Sequence, residues 1–402
     1  MKVDVIVIGS GIAGLAIAAA LGRQKLKTVV IGPDIPASNF DFEYVFERRT
    51  ITTLPSLATF SSVNCLSLGF SGSRSETLNE PLLCVDSKSL YQRFLMSCSE
   101  NGVAMMHGRA SNIVSYRKLN RVDWQPNIVG DSKMPKEELF APLVIDASGA
   151  NSSFSLSPKG FSTTYRKVVR GSGELFQGDF AYFDFSKTKR KGYPEIISFL
   201  RGFKHEDGRY FLDEVVLFDD HEPTTEDELS ASLFDRLDRY GFRIEEELES
   251  SYFYTPLFAG DFNPRILPFG DAASMAHPLT GEATSRILNV APALAKGIAQ
   301  SFAVADGGRA QTPQEIVKVG LEILFPPSHR AFDDAMFFLA DDLFINLPQQ
   351  TAFLGIAIYP PFFRSSFLKN NLDLEVFGTL QDCAKIASQK TFEKFGVFRP
   401  SD

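Results

Sequence analysis

The chain has 402 residues, a formal net charge of −8 and 44% hydrophobic residues. That length can bury a large core and favours two lobes over one, and the acidic balance argues against nucleic acid as a partner. Four scattered cysteines (Cys65, Cys84, Cys98, Cys383) and five unclustered histidines have neither disulfide nor metal spacing, so reduced thiols and no metal are expected.

Val3 to Ile8 is a β-branched apolar run of the length of a buried strand. It leaves no room ahead of it for a signal or transit peptide, any such segment having been removed or never having existed; the expected location is cytoplasmic or peripheral on a membrane. The run breaks at Gly9-Ser10-Gly11-Ile12-Ala13-Gly14, and an alanine-rich helix to about Arg23 and a second strand, Thr28 to Ile31, follow. A G-x-G-x-x-G gains meaning from lying between a strand and a helix. Gly9 permits the tight turn, Gly11 lets the backbone approach a pyrophosphate, and Gly14 lets the helix pack on the strand. Ile12 and Ala13 open the helix, whose N-terminus favours the anion. The acid expected at the end of the second strand is missing. Gly32 stands there, and Asp34 either reaches a ribose from the turn or is a solvated turn residue.

Residues 40–84 are poorly periodic. The stretch CVDSKSLYQRFLMSCSENGV reads as a helix with Asp86 or Ser87 as N-cap and Gly102 as stop signal. Arg93 within it and Ala110 beyond it are candidate cofactor contacts. So are Asp146 and Gly149, where the buried strand Leu143 to Ile145 breaks at Asp146-Ala147-Ser148-Gly149. Strand-like runs between about 161 and 220 suggest a second sheet, a capped amphipathic helix ends at Gly241, and the tail beyond 311 is largely helical and phenylalanine-rich.

A late strand, Arg265 to Phe269, leads into a Gly270-Asp271 turn and a helix beginning near Glu282. This discontinuous order is typical of FAD enzymes. Asp271 can accept hydrogen bonds from ribityl hydroxyls, and the amides around Pro278, Thr280, Gly281 and Glu282 form a positive helix end for a reduced flavin. The plainer alternative is an ordinary strand-loop-helix capped by Asp271. The expected fold is α/β. An FAD-binding Rossmann-like domain takes residues 1–42, 85–160 and 255–310, a substrate-binding sheet domain takes 43–84 and 161–254, and a helical C-terminal region takes 311–402. No second G-x-G-x-x-G lies on a strand-helix junction, so NAD(P)H is expected only as a transient reductant.

Between Tyr210 and Phe218 a strand pattern places Asp213 and Glu214 on opposite, otherwise apolar faces, so at least one carboxyl is expected to be buried. The alternative is an edge strand with solvated acids, or an acid paired with Arg201 or Arg209. Leu343 to Phe363 contains no charged residue, but Pro348, Pro360, Pro361 and Gln349-Gln350-Thr351 prevent a spanning helix. It is either an interfacial surface through which a lipid-like substrate enters, or a cap packed on the core or on a partner subunit.

The stretch from Phe269 onward resembles the plant and cyanobacterial lycopene cyclases. Met275, His277, Pro278, Thr280, Gly281, Arg286, Leu288, Ala291 and Pro292 stand in step with that family's pattern. The likeness extends in outline to the Val85-Asp86 helix, with Ser87 where the family has arginine, to Val144-Ile145-Asp146-Ala147-Ser148-Gly149, and to Phe211-Leu212-Asp213-Glu214-Val215 against F-L-E-E-T. Glu282 replaces the family's tyrosine, Val215 its threonine, and Asp271 stands where cyclases usually lack an acid. The changes at Glu282 and Asp271 point toward the wider group of flavin monooxygenases and prenyl reductases. The resemblance implies redox-neutral cyclisation of a linear isoprenoid or polyene, with reduced FAD stabilising a carbocation and Asp213 (or Glu214) as general acid. Such an acid must stay protonated at neutral pH, which calls for a buried carboxyl with a raised pKa. The runner-up is an FAD-dependent monooxygenase or prenyl reductase acting on a hydrophobic substrate.

Overall fold

The computed structural model describes residues 2–33, 42–45, 59–63, 65–70, 73–78, 82–116, 118–126, 137–150, 152–154, 160–173, 180–188, 196–219, 223–257, 262–276, 283–304 and 312–326. The N-terminal run forms β1 (Val5–Ile8), α1 (Ile12–Arg23) and β2 (Thr28–Gly32). Then come β3 (Phe42–Val45), β4 (Thr59–Val63), β5 (Cys65–Phe70), β6 (Ser73–Leu78) and β7 (Leu82–Asp86), which leads into α2 (Ser87–Glu100). Asp86 is the N-cap of α2, its carboxylate accepting from the N–H of Lys88 at 3.2 Å and of Ser89 at 3.1 Å. The chain continues through β8 (Ala104–Ser115), β9 (Asn120–Pro126), β10 (Glu137–Ala141), β11 (Leu143–Asp146), β12 (Gly160–Ser172), β13 (Phe180–Thr188), β14 (Ile196–Lys204) and β15 (Arg209–Asp219). It closes with α3 (Glu226–Arg239), β16 (Arg243–Leu257), β17 (Ile266–Pro268), α4 (Thr284–Val304) and α5 (Pro313–Leu324).

One seven-stranded sheet has the order β10-β9-β8-β2-β1-β11-β17, with β8, β2, β1, β11 and β17 parallel. Strands covered on both faces read as unbroken apolar runs, which is why β1 and β11 were legible. On one face Val7 and Ile145 share a core with Leu15 of α1, Leu90 of α2, Leu294 of α4 and Val317 of α5. On the other, Ile6, Ile31 and Val144 pack with Trp124 and Leu139 of the β8-β9-β10 meander. This is the Rossmann-like α/β arrangement anticipated, assembled from separate stretches of chain.

The second seven-stranded sheet has the order β16-β12-β15-β14-β13-β5-β6 and is antiparallel except where β13 runs parallel to β5. Its central strands come from the region read as a second sheet. Two others, β5 and β6, come from the region where periodicity was poor. The strands β3, β7 and β4 make a separate three-stranded sheet.

Helix α3 covers one face of the second sheet. A capping box between Thr225 and Glu228 starts it, and Leu229, Leu233 and Leu237 pack on Leu200, Leu212 and Val216. Inside that apolar contact lies Arg236, only 1% exposed. Its Nε donates to Glu214 Oε2 at 2.9 Å, and its Nη2 donates to Glu214 Oε1 and to Ser198 Oγ, both at 2.8 Å. The hydroxyls of Ser198 and Ser232 also donate to Glu214 Oε1, at 2.6 and 2.8 Å. Burying such a pair costs several kcal/mol per ion, offset only by bidentate geometry and added hydrogen bonds. Arg236→Met, which strands the Glu214 carboxylate, should therefore lower unfolding free energy in urea by about 3–5 kcal/mol. A loss below about 1 kcal/mol would mean that this ion pair does not clamp the helix to the sheet.

Candidate functional site

Three loops meet beyond the carboxyl ends of the parallel strands, the place where open α/β sheets bind ligands. After β1, Gly9 takes φ of 109° and its N–H donates to Ile31 O at 2.7 Å. After β11, Ala147 N–H donates to Ile8 O at 2.7 Å, and after β17, Phe269 N–H donates to Asp146 O at 2.8 Å. Gly9 sits against the carbonyl of Ala147, and Gly14 against the carbonyl of Gly9, so a Cβ at either position would collide with main chain. Gly11 differs. It is the N-cap of α1 with an ordinary φ of −72°, and nothing lies within 4 Å of where a Cβ would stand. No side chain caps α1 there, so the amides of its first turn, from Ile12 and Ala13 onward, are available to an anion. Gly149 likewise borders open space.

The third loop is a single 3-10 turn, Gly270–Ala273. Gly270, at φ 68°, lies where a Cβ would come within 2.6 Å of the Ala13 methyl, so this turn rests on the first turn of α1. Asp271 follows it, half-buried. Among the described residues no hydrogen bond engages its carboxyl, and desolvation pushes its pKa up to about 6.

Other anticipated contacts are placed differently. Asp146 is buried, and its carboxylate accepts from Ser148 N at 3.1 Å, from Ser148 Oγ at 2.7 Å and from Ser152 Oγ. It holds the turn that carries Gly149, so its carboxylate is committed to the protein and not offered to a ligand. At Gly32 the side-chain space is filled by Ser10, whose Oγ donates to Pro33 O at 2.6 Å, and an acid has no room there. Arg93 is half-exposed on α2. Ala110 lies on β8 beyond the last residue paired with β2, buried opposite Trp124. Asp34, Pro278, Thr280, Gly281 and Glu282 lie outside the described residues, and α4 starts at Thr284, slightly later than expected.

The acid pair lies on β15, which is interior, between β12 and β14. Glu214 faces α3 and Asp213 faces the opposite side, as strand alternation requires. Asp213 stands directly across from Arg166 on β12 and Arg201 on β14. Arg166 donates from Nε to Oδ1 at 2.9 Å and from Nη2 to Oδ2 at 3.2 Å. Arg201 donates to Oδ2 from Nε at 2.9 Å, with Nη2 at 2.8 Å. Complete burial by itself raises the Asp213 pKa, but the two guanidinium groups outweigh it and hold the carboxyl below the usual carboxylate range. The expectation of a neutral acid at this position is thereby corrected: Asp213 is ionised at neutral pH. Arg209, the other arginine considered as its partner, pairs instead with Asp207 in the β14-β15 turn. Arg166 was not anticipated.

No helix among the described residues is long and apolar enough to cross a membrane, and Leu343 to Phe363 lies outside them. A family model described as lycopene cyclase protein matches residues 4–352. The chain belongs to the lycopene cyclase family. A lycopene beta cyclase of Synechococcus elongatus is 28% identical over 310 residues, 74% of this chain and 72% of that protein. A chloroplastic/chromoplastic lycopene beta cyclase of Capsicum annuum is 24% identical over 401 residues, covering 94% of this chain and 77% of its own. In fold, the chain is similar to a geranylgeranyl bacteriochlorophyll reductase-like protein of Thermoplasma acidophilum, with a TM-score of 0.68 over 98% of both chains at 12% identity.

For this lycopene cyclase family member, two outcomes test the site. Gly11→Leu should still fold, because a Cβ there meets no protein atom within 4 Å, and should abolish flavin absorbance if the cradle is a flavin site. Undiminished flavin content would remove the site from this cradle. The second outcome concerns Asp213. Its folded pKa lies below the unfolded value of about 3.9, so its ion pairs stabilise the fold above that pH and are lost as pH falls through the folded value. Asp213→Asn should cost about 3–5 kcal/mol near neutrality, and its gap from wild type should narrow below about pH 4. A gap unchanged into acid would contradict the ion-pair assignment.

Proposed function

We propose that the chain binds FAD in the crevice between the three loops and cyclises a linear isoprenoid or polyene without net redox change. Family membership supports the reaction class. The observation that carries the cofactor assignment is the cradle: Gly9, Gly14 and Gly270 are packed against main chain or a methyl, while Gly11 and Gly149 border open ground beside an uncapped helix end. In this reading the first amides of α1 bind the pyrophosphate, and Asp271 accepts hydrogen bonds from ribityl hydroxyls. Those donors would bring the Asp271 pKa down from about 6 by supporting its charged form.

Ring closure needs a proton delivered to a terminal alkene, attack by the neighbouring double bond, and loss of a proton. When bound in reduced form, FAD would supply negative charge near the cation, with NAD(P)H as the transient reductant that keeps it reduced. Asp213, as family acid, has to take up its proton against Arg166 and Arg201, so in the resting arrangement it orients those two guanidinium groups and is not yet a donor. Glu214 is held by Arg236 on the far face of the strand. A hydrophobic substrate of this kind is reached at a membrane surface, which favours a peripheral location.

The clamp of Arg166 and Arg201 on Asp213, which favours its charged form, is a specific observation in favour of a second reading, an FAD-dependent monooxygenase or prenyl reductase, since neither needs a neutral carboxyl on this strand. Turnover of a linear carotenoid under strict anaerobiosis with dithionite-reduced flavin separates them. Cyclisation yields an isomer of the substrate and consumes no stoichiometric reductant. Reduction yields a product two hydrogens heavier, and oxygenation stops without oxygen. Absence of an isomeric product would overturn the cyclase reading.

A further inference from the structure

Arg286 belongs to the first turn of α4, and it is 7% exposed. A buried cation is costly, and at a helix N-terminus it also meets the positive end of the macrodipole. Neither helix propensity nor core packing accounts for an arginine here. Its hydrogen bonds do. Nη1 donates to Met275 O at 3.4 Å and Nη2 to Leu324 O at 3.1 Å, and the guanidinium carbon lies 5.6 Å from the centre of the Phe325 ring. One side chain thus ties the start of α4 to the end of α5 and to the residue that closes the cofactor turn.

Met275 holds that turn shut. Its N–H donates to Gly270 O at 3.2 Å, and its Sδ accepts from Gly270 N at 3.2 Å. Within the loop so closed, Ser274 N–H donates to Asp271 O at 2.9 Å, and Ser274 is held in the left-handed region at φ 50°. Gly270 in turn touches the Ala13 methyl at the start of α1. A continuous path of contacts therefore runs from α5 through Arg286, Met275 and Gly270 to Asp271 and the first turn of the glycine-rich helix.

We propose that Arg286 is a positioning residue for the flavin: by fixing Met275 it sets where Asp271 stands relative to the first turn of α1. This rests on the FAD assignment above. It predicts that FAD affinity depends on a group that touches, among the described residues, two main-chain carbonyls and a phenyl ring. A residue serving stability alone would lower the melting temperature of the apoprotein and leave affinity for FAD unchanged in whatever remains folded.

The experiment titrates FAD into apoprotein of wild type, Arg286→Lys and Arg286→Met, following flavin fluorescence, with the apoprotein melting temperature recorded in parallel. Arg286→Met should weaken FAD by about tenfold, the size of effect expected of a residue coupled to a site through packed neighbours. It should also change the flavin absorbance envelope of the bound form. Arg286→Lys, able to reach one of the two carbonyls, should recover part of the affinity. If both variants bind FAD as wild type does, whatever their melting temperatures, the positioning role is wrong while the FAD assignment stands. If wild-type apoprotein itself takes up no FAD, both are overturned. Should Arg286→Met fail to fold, Arg286→Lys decides the question alone, and wild-type affinity in it rejects the proposal.

Discussion

The close approach of β1 and β11 at their carboxyl ends is the constraint on which the site depends. Gly9 has to lie against the Ala147 carbonyl, and Gly14 against Gly9, before α1 can pack on the sheet and present its amino end. The same edge receives Phe269 from β17, whose N–H donates to the Asp146 carbonyl. Three distant stretches of chain are thereby registered against each other by main-chain contacts with little tolerance for added atoms. The open positions, Gly11 and Gly149, are defined by what surrounds them. The Asp146 side chain contributes to the same frame by holding the turn after β11 through Ser148 and Ser152.

The second sheet uses its two adjacent acids in opposite directions. Glu214 and Arg236 join sheet to helix on one face, and Asp213 joins three neighbouring strands on the other through Arg166 and Arg201. Ion pairs this deep roughly break even only with full hydrogen bonding, so each adds little net stability although breaking one is costly. The chemical consequence is specific. A carboxyl flanked by two guanidinium groups has its proton affinity set by them, so any acid catalysis from Asp213 would require a change in that cluster.

Much of this was legible before the fold was known. The parallel core strands were plain because both faces are covered, and the glycine fingerprint carried its own context. The opposite facing of Asp213 and Glu214 followed from period-two alternation alone. The ionic partners were readable in principle. The turn between β14 and β15 places Lys204 opposite Tyr210, and three residues further out Arg201 falls opposite Asp213. Arg236 was equally visible as the one charge on the buried stripe of an otherwise regular amphipathic helix. Apolar faces imply burial, and Arg201 was among the candidate partners, but the long-range pairing that supplies Arg166 from β12 has no local signature. The pairing of β5 with β13 was hidden for the same reason: a distant parallel partner leaves no local signature in a short strand.

That parallel pairing bears on how the protein is made. Cys65 of β5 lies beside Phe180 of β13. The β5-β6 hairpin therefore leaves the ribosome well before its partner strand exists, and at ordinary elongation rates it waits on the order of ten seconds. During that interval it presents an unpaired strand edge, the kind of surface that recruits wrong partners. The crevice beyond the parallel strands waits longer still, since β17 and the turn after it come late in the chain. A delay of this kind is a hazard of synthesis, separate from the stability of the finished fold.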